Sequence, residues 1–247
     1  MTSTIVSTFA VIADVALALV LVAGVAYAAR RLRRPAVLWI GAGGVLAWFG
    51  LAFTLARAGA FETDAATTLP PAIAPAIVIP TLLGCALLAL APARRAIDRV
   101  PLHWLVGVQA YRVVGGVFLI AWLQHDVPPQ FALPAGIGDV LVGIAAPLVA
   151  LSLMRGGVAG ARTRVLAWCA LGILDLVVAV ACGFLTAPSS FQQLALSDPN
   201  VAITSYPLVL IPIFAVPASI VLHVYVIARL RPRAAGAGVA VAGARAM

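Results

Sequence analysis

Four ionisable residues stand inside long apolar runs of the chain: Asp14, Arg112, Asp139 and Asp175. In "LVGVQAYRVVGGVFLIAW", residues 105–122, Arg112 is the one charge in a stretch otherwise suited to hydrocarbon. A charge near the centre of a membrane helix costs about 2.5–3.5 kcal/mol on insertion scales, so these groups are expected to face one another rather than lipid. One cation among three acids allows two kinds of chemistry. A single Arg–Asp pair fixes the register of two helices and does nothing else. Surplus carboxylate does more, because one arginine neutralises one acid and the remainder must hold or exchange a proton.

Spacing groups these residues further. At about 1.5 Å per helical residue, Arg112 and Asp175 lie at one level, Asp14 falls close to it, and Asp139 is expected to be shallower. On an α-helical wheel Gln109, Arg112 and Gly116 share a face. Two later runs carry small-residue stripes with one acid each, Gly136, Asp139, Gly143, Ala146 and Ala150 in one and Gly172, Asp175, Ala179 and Cys182 in the other. Small residues let helices approach closely in a membrane, so these faces are expected to pack together. The candidate substrate or proton site is therefore Asp14, Gln109, Arg112, Asp139 and Asp175.

The elements that must hold these residues are membrane helices. With 64% hydrophobic residues, 10% charged residues and a mean hydropathy of +1.12, the chain cannot cover an apolar core with polar surface. Apolar windows at 5–29, 36–56, 71–91, 102–123, 134–154, 164–186 and 205–228 predict an all-α, polytopic fold of seven transmembrane helices. Arginines alternate with these windows: Arg30, Arg31, Arg33 and Arg34, then Arg94, Arg95 and Arg99, then Arg155, Arg162 and Arg164, then Arg229, Arg231, Arg233 and Arg245. By the positive-inside rule the N-terminus is outside and the C-terminus cytoplasmic, as in a multi-pass protein of the cytoplasmic membrane. The excess of base is expected to meet lipid headgroups rather than nucleic acid. Residues 1–233 form one domain, the first run is expected to remain as an anchor, and the Ala/Gly-rich tail 234–247 is expected to be disordered.

Prolines recur at a spacing of five in the third run (Pro70, Pro75, Pro80) and the seventh (Pro207, Pro212, Pro217). Interior prolines free backbone carbonyls, which predicts kinks at Pro75, Pro80, Pro212 and Pro217. The trio Ile12, Asp14, Val15 reappears as Ile137, Asp139, Val140. Together these suggest two parallel three-helix halves joined by the fourth span, the 3+1+3 plan known from small sugar carriers.

Several chemistries are excluded or narrowed. All 16 basic residues are arginine, so no lysine is present to form a Schiff base with retinal or pyridoxal phosphate. There is no HExxH, phosphate-binding loop or GxSxG. Cys85, Cys169 and Cys182 are scattered and suit small buried positions, and no metal site is expected. His103 and His223, near the cytoplasmic ends of their runs, are the only candidates for axial ligands of a haem, giving a membrane redox protein as one alternative. Otherwise no cofactor is expected.

"AGIGDVLVG", residues 135–143, resembles the GxGD signature of intramembrane aspartyl proteases, and "AYRVV" resembles their YD segment. That resemblance implies a pair of catalytic aspartates including Asp139, but Arg112 stands where the second acid would be, and "VPASI" (216–220) only approximates the family's PAL segment. More broadly, "VPPQFALPAGIGD" and "YPLVLIPIFAVP" resemble bacterial multi-pass membrane proteins without an assigned activity. This resemblance covers most of the chain and implies a fold but no reaction. The expected function is a small-solute or proton-linked carrier rather than an enzyme, with the lipid bilayer, a solute or protons as partners. The protease, the haem protein and a non-catalytic protein with a structural ion pair are the alternatives.

Overall fold

The computed structural model describes residues 4–67 and 71–231. Among these residues every regular element is helical. Helix α1 (Thr4–Leu32) turns through Arg33, at φ 54°, into α2 (Pro35–Arg57), and the two pack side by side. Pro35 opens α2, where the missing N–H has no intrahelical acceptor to lose. Helix α3 (Ile73–Ala86) runs through a short 3-10 turn (Leu87–Ala89) into α4 (Ala91–Ile97), which is bent away by 94°. The fourth apolar run, Leu102–Leu123, is composite: α5 (Leu102–Gly107), a nine-residue 3-10 segment (Val108–Gly116) and α6 (Val117–Leu123).

The longest element, α7 (Pro129–Thr186), has 58 residues and would reach about 87 Å if straight, far more than a bilayer core of about 30 Å. It is not straight. At Gly157 the backbone leaves helical geometry (φ 62°, ψ −173°), a conformation glycine adopts without steric cost. The chain doubles back there, so 129–156 (the first arm) and 158–186 (the second arm) lie antiparallel, with Trp168 Nε1 donating to the Val142 carbonyl at 3.1 Å. A connection containing the 3-10 turn Ala202–Thr204 and a cis Tyr206–Pro207 bond leads to a π-turn (Ile211–Ala215) and then α8 (Val216–Leu230). Among the described residues five helices are long and apolar enough to cross a membrane, or six with the bent α3–α4 pair counted as one span.

Among the described residues the arginine blocks gather at one end of the bundle. Arg229 reaches Asp98 at 3.6 Å and donates to the carbonyls of Ile97 (3.4 Å) and Val100, while Arg162 Nε donates to Leu230 O at 3.2 Å. These contacts supply donors to carbonyls at and just beyond helix ends. At the opposite end Arg57 lies over the Tyr206 ring, 4.9 Å from its centroid. An apolar cluster fills each end: Val106, Ala146, Val165, Trp168, Leu222 and Val226 at the arginine-rich end, and Val6, Ala10, Phe118, Phe131, Ile203 and Leu208 at the other.

The prolines shape the spans less evenly than their spacing suggests. Pro75 sits in the first turn of α3, Pro80 lies inside that helix, and the sharp bend comes later, at the extended Leu90. In the seventh run Pro212 falls within the π-turn and Pro217 in the first turn of α8. Pro70, Arg233, Arg245 and the tail 234–247 lie outside the described residues.

Candidate functional site

The 3-10 segment presents the site. A 3-10 helix has three residues per turn, so Gln109, Arg112 and Gly115 stand one above another, and all three are buried. The α-helical wheel placed Gly116 in that stripe instead; the tighter winding of this segment moves Gly115 there. The local sequence favours departure from α geometry, since Val113 and Val114 are β-branched and Gly115 and Gly116 are poor helix formers.

Arg112 is 2% exposed and each of its nitrogens has a partner. Nε donates to Asp139 Oδ1 at 2.7 Å on the first arm, and Nη2 donates to Asp175 Oδ2 on the second. Nη1 donates to the Gly172 carbonyl at 3.2 Å and lies 3.4 Å from His223 Nε2 on α8. A guanidinium has no acceptor, so this last contact requires Nε2 to accept, which leaves the ring proton on Nδ1. Nδ1 itself is buried with no hydrogen-bond partner. The His223 ring packs at a tilt of 55° against Trp168, with centroids 4.7 Å apart. One side chain thus ties together the fourth run, both arms of α7 and α8.

The expected Arg112–Asp175 pair is present, and Asp139 joins it at the same level. The helix carrying Asp139 begins at Pro129, five residues before the predicted window, so Asp139 lies deeper than the window implied. Close approach makes the arrangement feasible: a Cβ on Gly143 would stand 2.6 Å from the backbone nitrogen of Val113, which shows how tightly the first arm abuts the 3-10 segment. Gln109 is equally buried but does not touch the charges. Its amide exchanges two 3.1 Å hydrogen bonds with Ser219, and Tyr111 beside it donates to Ala215 O at 3.0 Å and contacts Ser219 Oγ. Both residues fasten the 3-10 segment to the π-turn and α8, meeting a carbonyl that the π-turn exposes.

Asp14 is brought close but is not joined. It lies on the buried stripe of α1 between Ala10 and Leu17, 1% exposed, and α1 packs on the 3-10 segment. Among the described residues the ion pairs of Arg112 are with Asp139 and Asp175, and Asp14 Oδ2 has no hydrogen-bond partner. His103 and His223 do not face one another. His103 is nine residues before Arg112 on the same run, about 16 Å along its α and 3-10 turns, whereas His223 touches Arg112. The expectation of a shared depth fails because α8 carries its histidine towards the middle of the bundle. Among the described residues no group of three or more metal-ligating side chains occurs. The acids are also unlike a proteolytic dyad, which needs two carboxylates sharing a proton, whereas here a guanidinium stands between them.

A cavity of about 510 Å³ opens beside the cluster, between α3 and the second arm. Its walls are apolar, formed by residues such as Ile77, Phe131, Leu176, Phe184 and Val216, and Asp139 is the one ionisable side chain in its lining.

Residues 70–231 match a family described as a domain of unknown function (DUF8737). No curated protein and no solved structure matches the chain.

Proposed function

Because the chain belongs to the DUF8737 family, a description that assigns no activity, we propose its function from the buried cluster itself: a proton-linked carrier of a small solute. The observation that carries this reading is the shared guanidinium. With both acids ionised, Arg112, Asp139 and Asp175 sum to one negative charge, and a bound proton or solute restores neutrality. Burying a net charge is costly, so the helices contributing these groups gain by rearranging when the charge changes. The π-turn, the 3-10 segment and the bent α3–α4 pair are the irregular pieces that would take up such motion.

In this proposal the two arms of α7 are separate spans and α3–α4 is one broken span, which gives seven. The arginine-rich end then faces the cytoplasm and Thr4 lies near the outer surface of the cytoplasmic membrane. The 3+1+3 plan is retained as the organisation of the halves, with α1 to α3 and the two arms with α8 flanking the composite fourth span.

The test is a pH titration of tryptophan fluorescence in lipid nanodiscs. Trp168, packed against His223, is the natural reporter, used in a variant where it is the only tryptophan. The wild-type cluster should give a transition between roughly pH 5 and 8, the range available to a buried carboxylate. Asp139→Asn and Asp175→Asn should each remove or displace it. A flat wild-type trace would reduce the cluster to a structural brace.

A further inference from the structure

We infer that the solute is a lipophilic cation, drawn from the bilayer through the cleft between α3 and the second arm of α7, with Asp139 as its counter-ion. This inference rests on the carrier reading and specifies its substrate.

The route comes first. The cluster is roofed and floored by the two apolar end clusters, so a hydrophilic solute arriving from either aqueous side meets packed side chains. Sideways the packing is looser. α3 packs on α8 and the π-turn, and the space between α3 and the second arm is the cavity. The second arm beside it turns large apolar side chains outward: Leu174 and Val177 are 58% and 55% exposed. A cleft flanked by such a face communicates with lipid, where apolar molecules concentrate. Its volume of about 510 Å³ falls within the range of roughly 300–1,000 Å³ typical of sites for drug-sized ligands.

Charge selects among apolar molecules. Among the described residues Arg112 carries the only positive charge beside the cleft, but it is buried, and Nε, Nη1 and Nη2 are all engaged. A ligand in the cleft therefore meets the Asp139 carboxylate and not the guanidinium. The other groups facing the cluster do not alter that sign: Asp175 on the second arm adds negative charge, His223 on α8 accepts through Nε2, and the Tyr111 hydroxyl is turned to Ala215 and Ser219. Asp14, on α1, contributes a further acid. Among Arg112, Asp139 and Asp175 alone one negative charge is in excess, so a monovalent cation and a proton satisfy the same deficit and each should displace the other. Exchange of one for the other needs no covalent step.

The test uses two ions of like shape and opposite charge. Tritiated tetraphenylphosphonium and tetraphenylborate are offered to the full-length protein in nanodiscs of zwitterionic lipid, with empty nanodiscs as blank. Tetraphenylphosphonium should bind saturably and release protons into a weakly buffered dye solution, and tetraphenylborate should show no saturable binding. Asp139→Asn should weaken phosphonium binding by at least about tenfold, the scale of a lost charge partner in a desolvated site. Ala74→Phe, which narrows the cleft from α3, a helix that carries none of the charged groups, should weaken it too while preserving the pH transition of Trp168. Equal binding of the two ions, or undiminished phosphonium binding in Asp139→Asn protein that remains monodisperse, overturns the inference. A Trp168 pH transition without phosphonium binding removes the substrate class and leaves the carrier; loss of both removes the two readings together.

Discussion

The sharpest quantitative consequence of the cluster concerns its cooperativity. Arg112→Met removes the only cation and leaves Asp139 and Asp175 facing each other in a site where their side chains are 12% and 11% exposed. Breaking a buried ion pair from one side costs about 3–5 kcal/mol, and here two acids are orphaned, so the upper part of that range is expected. Asp175→Asn is milder, because Arg112 keeps Asp139 and the Gly172 carbonyl; the loss of one charged hydrogen bond is worth about 1.5–3 kcal/mol. The triple variant Arg112→Met, Asp139→Asn, Asp175→Asn buries no net charge and should regain most of what Arg112→Met alone loses. The assay is reversible unfolding by SDS in mixed micelles, followed by Trp168 fluorescence. The Arg112/Asp175 cycle should give an interaction energy of at least about 1 kcal/mol, within the span seen for directly paired groups. Effects that add to within about 0.5 kcal/mol, or a triple variant as unstable as Arg112→Met, would refute the account of one shared guanidinium.

Two further outcomes follow from packing and charge placement. Gly143→Ala should destabilise by about 1–3 kcal/mol in the same assay, since its Cβ would meet the Val113 backbone nitrogen at 2.6 Å, whereas Gly24→Ala, with nothing within 4 Å, should be close to neutral. Reporter fusions after residues 97 and 160 should both report the cytoplasm, and periplasmic activity at either would reverse the proposed orientation.

Much of the site was legible because intramembrane charge is expensive. Arg112 and Asp175 share a level by simple counting from the ends of their runs, and their pairing follows from the cost of leaving either alone. Counting failed where helix ends did not match hydropathy windows. Asp139 was placed too shallow because Pro128 and Pro129 look like loop residues, yet they open a helix that extends beyond the apolar window. The stripe on the fourth run failed at Gly116 for a different reason: wheels assume α geometry, and a nine-residue 3-10 stretch is too rare to expect. His223 was legible in principle, since Ser219 and His223 stand four apart as two of the polar positions of α8, but its depth depends on where the π-turn ends. Asp14 illustrates the limit of the argument from cost. It is buried as expected, yet its neighbours on α1 carry it into apolar packing without an ion pair to Arg112.

The 3-10 winding of Val108–Gly116 is also a mechanical reserve. A 3-10 helix advances about 2.0 Å and turns 120° per residue, against about 1.5 Å and 100° in an α-helix. Rewinding nine residues to α form would shorten the fourth run by about 4.5 Å and rotate α6 against α5 by about 180°. Arg112 lies at the midpoint of this screw, so half of the rotation would accumulate on either side of it. A local change in coiling would then swing the guanidinium away from one arm of α7 as α6 turns against α5, converting axial strain into a choice between carboxylates.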